Sequence, residues 1–387
     1  MDFLLSEDQK AIVEAASAVV KPFGDDYWLE KDKEGGFPED FYQAMAEGGW
    51  LGIALPEEYG GSGLGVTEAA LLMMTVAGNG GAMAAASCIH MNIFGPKSIA
   101  AFGSDDQKRR WLPGIVDGTY KMCFGVTEPD AGLDTTRIKT RAVRNGSHYM
   151  VSGQKVWTST AQVAEKIMLL ARTGPRDDVN PTRGLSLFFT DLDRACVTIR
   201  EIEKMGRKAV DSNEVYFDDM KVPVEDRIGE EGEGFRYILH SLNPERILIS
   251  AEAIGIGRDA LGRAADYARE RTVFQRPIGQ NQSIQHPLAV NWAELEAAFL
   301  STMKAAWLYD RGQPCGVEAN AAKYLSAEAA FKACTQAVVT HGGMGYAKEF
   351  HVERLMREVM IPYLAPVSQQ MVLNFIAEKA LSLPKSY

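Results

Sequence analysis

The spacing of apolar residues changes twice along this chain, and few folds accommodate that order. From Ser6 to about Gly118 the apolar positions recur at helical intervals. Between about Met122 and Ile228 they alternate as in strands, and after "GEEGEGF" (Gly229–Phe235) they return to helical spacing up to the C-terminus. The Asn145-Gly146 pair between alternating segments is a hairpin signal, and "KIMLLART", "GLSLFFTD", "CVTIREIE" and "NEVYFDDMKV" continue the strand pattern. Helix starts are expected at Ser6, with Asp8 and Gln9 behind it, and at Pro38. The run "AMAAASCIHMNIFGPKSIAAFG" reads as buried helix, and the loop "PEEYGGSGLG" (Pro56–Gly65) interrupts the helices. Gly255, Gly257 and Gly262 inside the first long helix of the last segment predict closely packed helices in a bundle. The reading is α+β, in three domains: a helical one over 1–120, a β domain over 121–230 and a helical bundle over 231–387.

Composition narrows the function. A formal charge of −10 and a pI near 5.3 argue against a polyphosphate-binding surface, so no nucleic acid partner is expected. Five cysteines without CxxC pairing suggest neither a disulfide framework nor a metal site. No continuous apolar run of about 18 residues is apparent, so no membrane span is expected, and the "MDFLLSEDQK" start carries acids where a signal peptide needs a basic start. A cytoplasmic location is expected.

Two stretches carry chemistry. "FGVTEPDAGLDTT" (Phe124–Thr136) reads as a strand entering a glycine-containing turn, which exposes backbone N–H groups and hydroxyls suited to a polar ligand edge. In "VSGQKVWTSTAQVA" (Val151–Ala164), Trp157 beside Thr158 and Ser159 either closes the core at a strand end or stacks on a planar ligand.

Together these stretches resemble the flavin-binding β domain of the acyl-CoA dehydrogenases. The resemblance extends through "PEEYGG", "VTEPDAG", "KVWTS", "RERTVFQRPIGQNQ" and "THGGMGYAKEFHVERLMREV", in the family's order. It implies a helical N-terminal domain, a central β-barrel and a C-terminal four-helix bundle, assembled as a homotetramer (a dimer of dimers). It further implies FAD as cofactor, an acyl-CoA substrate oxidised to the trans-2-enoyl-CoA, and electron-transfer flavoprotein as acceptor. By position, Phe124, Val126, Thr127, Gly132, Trp157, Thr158 and Ser159 would contact the flavin or its ribityl chain. Arg271, Phe274 and Gln282 would reach the FAD of a neighbouring subunit, Gly342 and Gly343 would lie beside the phosphates, and Ser368 and Gln370 match further FAD contacts. Leu133, Val339 and His341 depart from the usual residues of that pattern.

Removing a thioester α-proton needs a carboxylate base, with the carbonyl polarised by hydrogen-bond donors. Most members of the family carry that Glu near the C-terminus, where this chain has Pro366 in "IPYLAPVSQQ". A subset, including the isovaleryl-CoA and long-chain enzymes, carries it on the first long helix of the last domain, immediately before an Arg, and Glu245-Arg246 matches. Asn243 reads as a helix N-cap and Pro244 as the first helical residue, which would put Glu245 in the first turn, under the helix dipole. Arg246 would orient the site and balance its charge. Pro366 also lacks the N–H that the family offers the thioester carbonyl, so Val367 or another group would have to donate. His90, His240, His286 and His351 lack metal spacing and are expected in structural or solvent-facing roles. Other functions on the same fold are a flavin-dependent oxidase or monooxygenase, and a subunit that binds FAD or acyl-CoA without turnover.

Overall fold

The computed structural model describes residues 4–386. Helices α1 (Glu7–Val20), α2 (Asp25–Glu34), α3 (Glu39–Glu47), α4 (Val66–Val76), α5 (Ala82–Phe94), α6 (Lys97–Phe102) and α7 (Asp105–Val116) come first. The Ser6 hydroxyl accepts from Gln9 N–H while the Gln9 side chain accepts from Ser6 N–H, and Ser104 with Gln107 repeats this capping box at α7. Ser104→Ala is expected to cost about 1 kcal/mol of stability, read as a lower denaturation midpoint. An unchanged midpoint would show that the cap contributes nothing.

The stretch Val66–Phe102 is long and apolar enough to pass for a membrane span, but 83% of its most apolar window is buried inside the protein. The glycine-rich turn Ala77–Gly81, with Gly80 at φ +79°, separates α4 from α5 and divides the run as it is read in the sequence. Both helices instead supply the central core, where Leu72, Met73, Ala85 and Ile89 meet Ile247, Ile254 and Ala330.

The middle segment forms one eight-stranded sheet from β1 (Met122–Gly125), β2 (Arg141–Asn145), β3 (His148–Ser159), β4 (Lys166–Arg172), β5 (Leu185–Asp191), β6 (Val197–Glu201), β7 (Ser212–Pro223) and β8 (Arg227–Ile228). The order is β6-β7-β3-β2-β4-β5-β8, with β1 parallel to β4. Gly146 takes φ +61° in the β2–β3 hairpin, as the Asn-Gly signal predicts. The runs in β4 and β5 are continuously apolar because both sheet faces are covered. Ile167, Leu169 and Phe188 lie in the interior of the sheet domain, while Met168, Leu170, Leu187 and Phe189 pack against Trp111, Leu112 and Ile115 of α7.

The last segment comprises α8 (Gly234–Glu270), the hairpin β9 (Thr272–Val273) and β10 (Arg276–Pro277), α9 (Gln282–Asp310), α10 (Gly316–His341), α11 (Val352–Glu358), α12 (Met360–Leu364) and α13 (Gln369–Leu381). Helices α8, α9, α10 and α13 form the expected bundle. Of Gly255, Gly257 and Gly262, the first two meet a neighbour closely. A Cβ on Gly255 would lie 2.2 Å from the Met74 carbonyl oxygen of α4, and one on Gly257 would lie 2.7 Å from Leu295 and 3.0 Å from the Ala330 backbone, whereas Gly262 faces open space.

The start of α8 also differs from the sequence reading. The helix begins at Gly234, so Pro244 is internal and Asn243 is not a cap. Burial of Tyr237, Ile238 and Ser241 carries the helix through a position where Pro would ordinarily begin one. Pro244 leaves the His240 carbonyl without its helical donor. Asn243 uses its side-chain oxygen to accept from Arg246 Nη1 at 3.3 Å.

Candidate active site

Glu245 lies about three turns into α8, beyond reach of the dipole at its N-terminus, which acts within the first turn. The expected dipole contribution is therefore absent. Its side chain is half-buried and forms no ion pair among the described residues. Loss of water raises its carboxyl to about 7, against the opposing pull of His90 and Arg246, and Glu252 adds to the rise. Arg246 points elsewhere, donating through Nη1 to the Leu242 carbonyl at 3.2 Å as well as to Asn243, while its buried Nε has no partner. It lies close enough to Lys323 to oppose that lysine's charge, and burial with Arg246 lowers Lys323 to about 8. Lys323 Nζ donates to Gln369 Oε1 at 3.0 Å and so ties α10 to the first turn of α13. Ser368 caps that helix, its hydroxyl accepting from Met371 N–H at 3.3 Å, and Gln370 beside it is exposed. Val367 N–H, the alternative donor to a thioester, finds no acceptor among the described residues.

The predicted flavin contacts from the sheet domain converge on one corner. The pairing of β3 with β7 slips between Lys155 and Thr158, and Trp157 takes φ +60° at this bulge. A bulge re-aims a side chain, and the indole is 58% exposed although its neighbours Thr158, Ser159 and Thr160 are buried. The chain leaving β1 is fixed to this corner. Thr127 carbonyl accepts from Val156 N–H at 2.9 Å, and Val126 carbonyl accepts from Lys155 Nζ at 2.9 Å. Phe124, on the same strand, stacks on Phe94 of α5 with centroids 5.2 Å apart. Gly132 and Leu133 sit exposed on the turn that follows.

A second group gathers at the far end of the bundle. Tyr267, one turn before Arg271, stacks on His341 with centroids 4.3 Å apart, which brings the end of α8 beside Gly342 and Gly343. Arg271 and Gln282 are exposed, and Phe274, at φ +51° in the β9–β10 turn, is 94% exposed. Val339 is exposed as well. Among the described residues no hydrogen bond or ring contact joins this group to the Trp157 corner.

The sequence reading missed several polar groups that build the site. Lys155 is fully buried, and its Nζ lies 2.9 Å from Glu128, whose oxygens also accept from the backbone N–H groups of Lys139 and Thr140. Burial lowers Lys155 to about 8 against the pull of Glu128. Burial alone would raise Glu128, but Lys155 and the two N–H donors hold it below the ordinary carboxylate range. Arg207, buried, donates to the hydroxyls of Ser87, Ser159 and Ser212. His90 and Glu252, also buried, lie 2.5 Å apart. The signals were present as charged residues inside apolar runs, yet nothing local names their partners.

Both groups of residues fit FAD. Trp157 offers an exposed ring face beside Thr158, whose hydroxyl is fully buried and lacks any partner. The backbone at Gly132, Gly342 and Gly343 has open space where a Cβ would point, and Gly342 takes φ +61°. Among the described residues no cluster could hold a metal ion.

Comparison with known proteins agrees with this geometry. Family models of the acyl-CoA dehydrogenase N-terminal, middle and C-terminal domains match residues 6–119, 123–220 and 232–381. The chain is 40% identical over 390 residues to acyl-CoA dehydrogenase FadE12 of Mycobacterium tuberculosis (strain ATCC 25618 / H37Rv), covering 100% of this chain and 99% of that one. Butyryl-CoA dehydrogenase from Megasphaera elsdenii superposes with a TM-score of 0.93 at 30% identity, over 99% of this chain and 100% of that chain. A glutaryl-coenzyme A dehydrogenase in complex with glutaryl-CoA gives 0.94 at 31% identity, over 100% and 98%. The architecture, the site and these relatives agree, and the chain belongs to the acyl-CoA dehydrogenase family of FAD-dependent oxidoreductases, which act on the CH–CH group of their donors.

Proposed function

We propose that this protein oxidises an acyl-CoA thioester to the trans-2-enoyl-CoA, with Glu245 as the base that takes the α-proton. Bound FAD would supply the acceptor of the β-hydride, at N5. The observation that supports Glu245 most directly is a half-buried carboxylate without an ion-pair partner among the described residues, raised by desolvation to about 7. A base with that affinity is well matched to proton abstraction near neutral pH. Pro366, where most of the family carries the base, offers neither a carboxylate nor an N–H. In this reading Val367 N–H donates to the thioester carbonyl, and Arg246 orients the turn that carries Glu245.

Phe124, Val126, Thr127, Gly132, Trp157, Thr158 and Ser159 would hold the flavin within one chain, with Ser368 and Gln370. Arg271, Phe274, Gln282, Gly342 and Gly343 would serve the FAD of an adjoining subunit. Their exposure supports that division, as does the apolar face of α9, where Val290, Trp292, Leu300 and Trp307 are exposed. The assembly proposed is a homotetramer, a dimer of dimers, that passes electrons to electron-transfer flavoprotein in the cytoplasm.

The test is anaerobic bleaching of the flavin by a panel of acyl-CoAs, followed against pH. Glu245 must be ionised to accept a proton, so the reduction rate is expected to rise with pH through about 7 and then level off. A rate independent of pH through this range would remove Glu245 as the titrating base. Oxygen consumption with peroxide or hydroxylated product would instead identify an oxidase or monooxygenase, and absence of bleaching with every acyl-CoA would identify a binding subunit.

A further inference from the structure

The mechanism above leaves unused a deeply buried acid–base pair. His90 of α5 and Glu252 of α8 are 6% and 0% exposed, and Nδ1 lies 2.5 Å from Oε1. Glu252 is seven residues beyond Glu245, two turns along α8, so both carboxylates lie on the same face of the helix and look toward α5. Glu252 Oε2 is buried without a partner, so the carboxylate depends on the imidazole. Among the described residues His90 Nε2 makes no hydrogen bond. One turn along α5, Phe94 packs at a tilt against the His90 ring at 4.8 Å and against Phe124 at 5.2 Å, so His90 stands behind the proposed flavin corner.

We propose that His90, held by Glu252, is a positioning residue that keeps a fixed positive charge beside Glu245 and so sets the pH at which Glu245 acts as a base. The proposal rests on the reading of Glu245 given above.

The surrounding charges give it a direction. Burial alone would make the His90 imidazole neutral, but Glu252, bonded to it, and Glu245 hold it above its ordinary range, while Arg207 opposes them. At Glu245, burial raises the carboxyl, His90 and then Arg246 lower it, and Glu252 raises it by the smallest share. His90 therefore outweighs Glu252 at the base. Without it, dry surroundings and the remaining negative charge would leave Glu245 protonated, and inactive, further up the pH scale.

The experiment compares anaerobic single-turnover flavin reduction against pH in the FAD-loaded wild type, His90→Asn, Glu252→Gln and Glu245→Gln. His90→Asn is expected to move the acid limb upward by about one pH unit, a roughly tenfold slower reduction on the acid side. Glu252→Gln should move it the same way by less, because the imidazole then becomes neutral while one negative charge is also lost. An unmoved limb in His90→Asn, or a downward move in Glu252→Gln, overturns the proposal. Side-chain 15N spectra of labelled histidine give a second readout that needs no turnover. The His90 resonance, assigned by its absence from His90→Asn or, where that variant does not fold, by elimination after replacing the other five histidines in turn, should be imidazolium in the wild type at pH 7 and neutral imidazole in Glu252→Gln, and neutral imidazole in the wild type overturns the proposal. If Glu245→Gln is reduced at the wild-type rate, the base assignment fails separately, and the histidine spectra still report the state of the pair.

Discussion

Glu245→Gln is expected to keep FAD and lose reduction by acyl-CoA. The amide preserves the shape of the side chain and cannot accept the α-proton, so the single-turnover rate should fall by roughly a hundredfold to ten-thousandfold. Visible absorbance of the purified variant checks the cofactor, and anaerobic mixing with substrate checks the chemistry. Normal bleaching would place the base elsewhere. Restoring a carboxylate at the other location, by Pro366→Glu in the Glu245→Gln background, is no substitute control, because it also changes the loop beside Val367.

The second large effect is structural and sits at the flavin corner. Glu128→Ala should destabilise the FAD-loaded protein by about 3–5 kcal/mol, since it strands a fully buried ammonium and two backbone donors together. The partners are not equivalent. Lys155→Met leaves Glu128 with the N–H groups of Lys139 and Thr140, so its cost should be the smaller of the two. Because Lys155 also anchors the Val126 carbonyl, both variants should bind FAD more weakly. Thermal denaturation with and without added FAD measures the two effects, and a more stable Glu128→Ala than Lys155→Met would refute the ordering.

How much of this was legible in the sequence depended on the range of the interaction. The β2–β3 hairpin was readable because Asn145-Gly146 fixes its own turn, and the capping box at Ser6 because its two partners are three residues apart. Glu245 could be singled out because Arg246 follows it and Pro366 replaces the usual acid. The start of α8 was not readable, because local chemistry at Asn243 and Pro244 favours a beginning there and only tertiary burial of the preceding turns overrides it. The His90–Glu252 pair spans 162 positions, and Lys155–Glu128 joins β3 to the segment after β1, whose packing must be seen. The exposure of Trp157 came from a bulge that alternation of side chains cannot announce.

The contact of Gly255 with Met74 bears on how such an enzyme can change its substrate. Helix α8 carries the proposed base, and at this crossing its backbone lies against that of α4 with no side chain between them to compress or lengthen. The axis of α8 therefore has almost no latitude to slide or tilt as an acyl chain grows longer or branched. New specificities in this frame must come from exchanging the side chains around Glu245 or from reshaping loops such as that at Pro366, with α8 itself held in place.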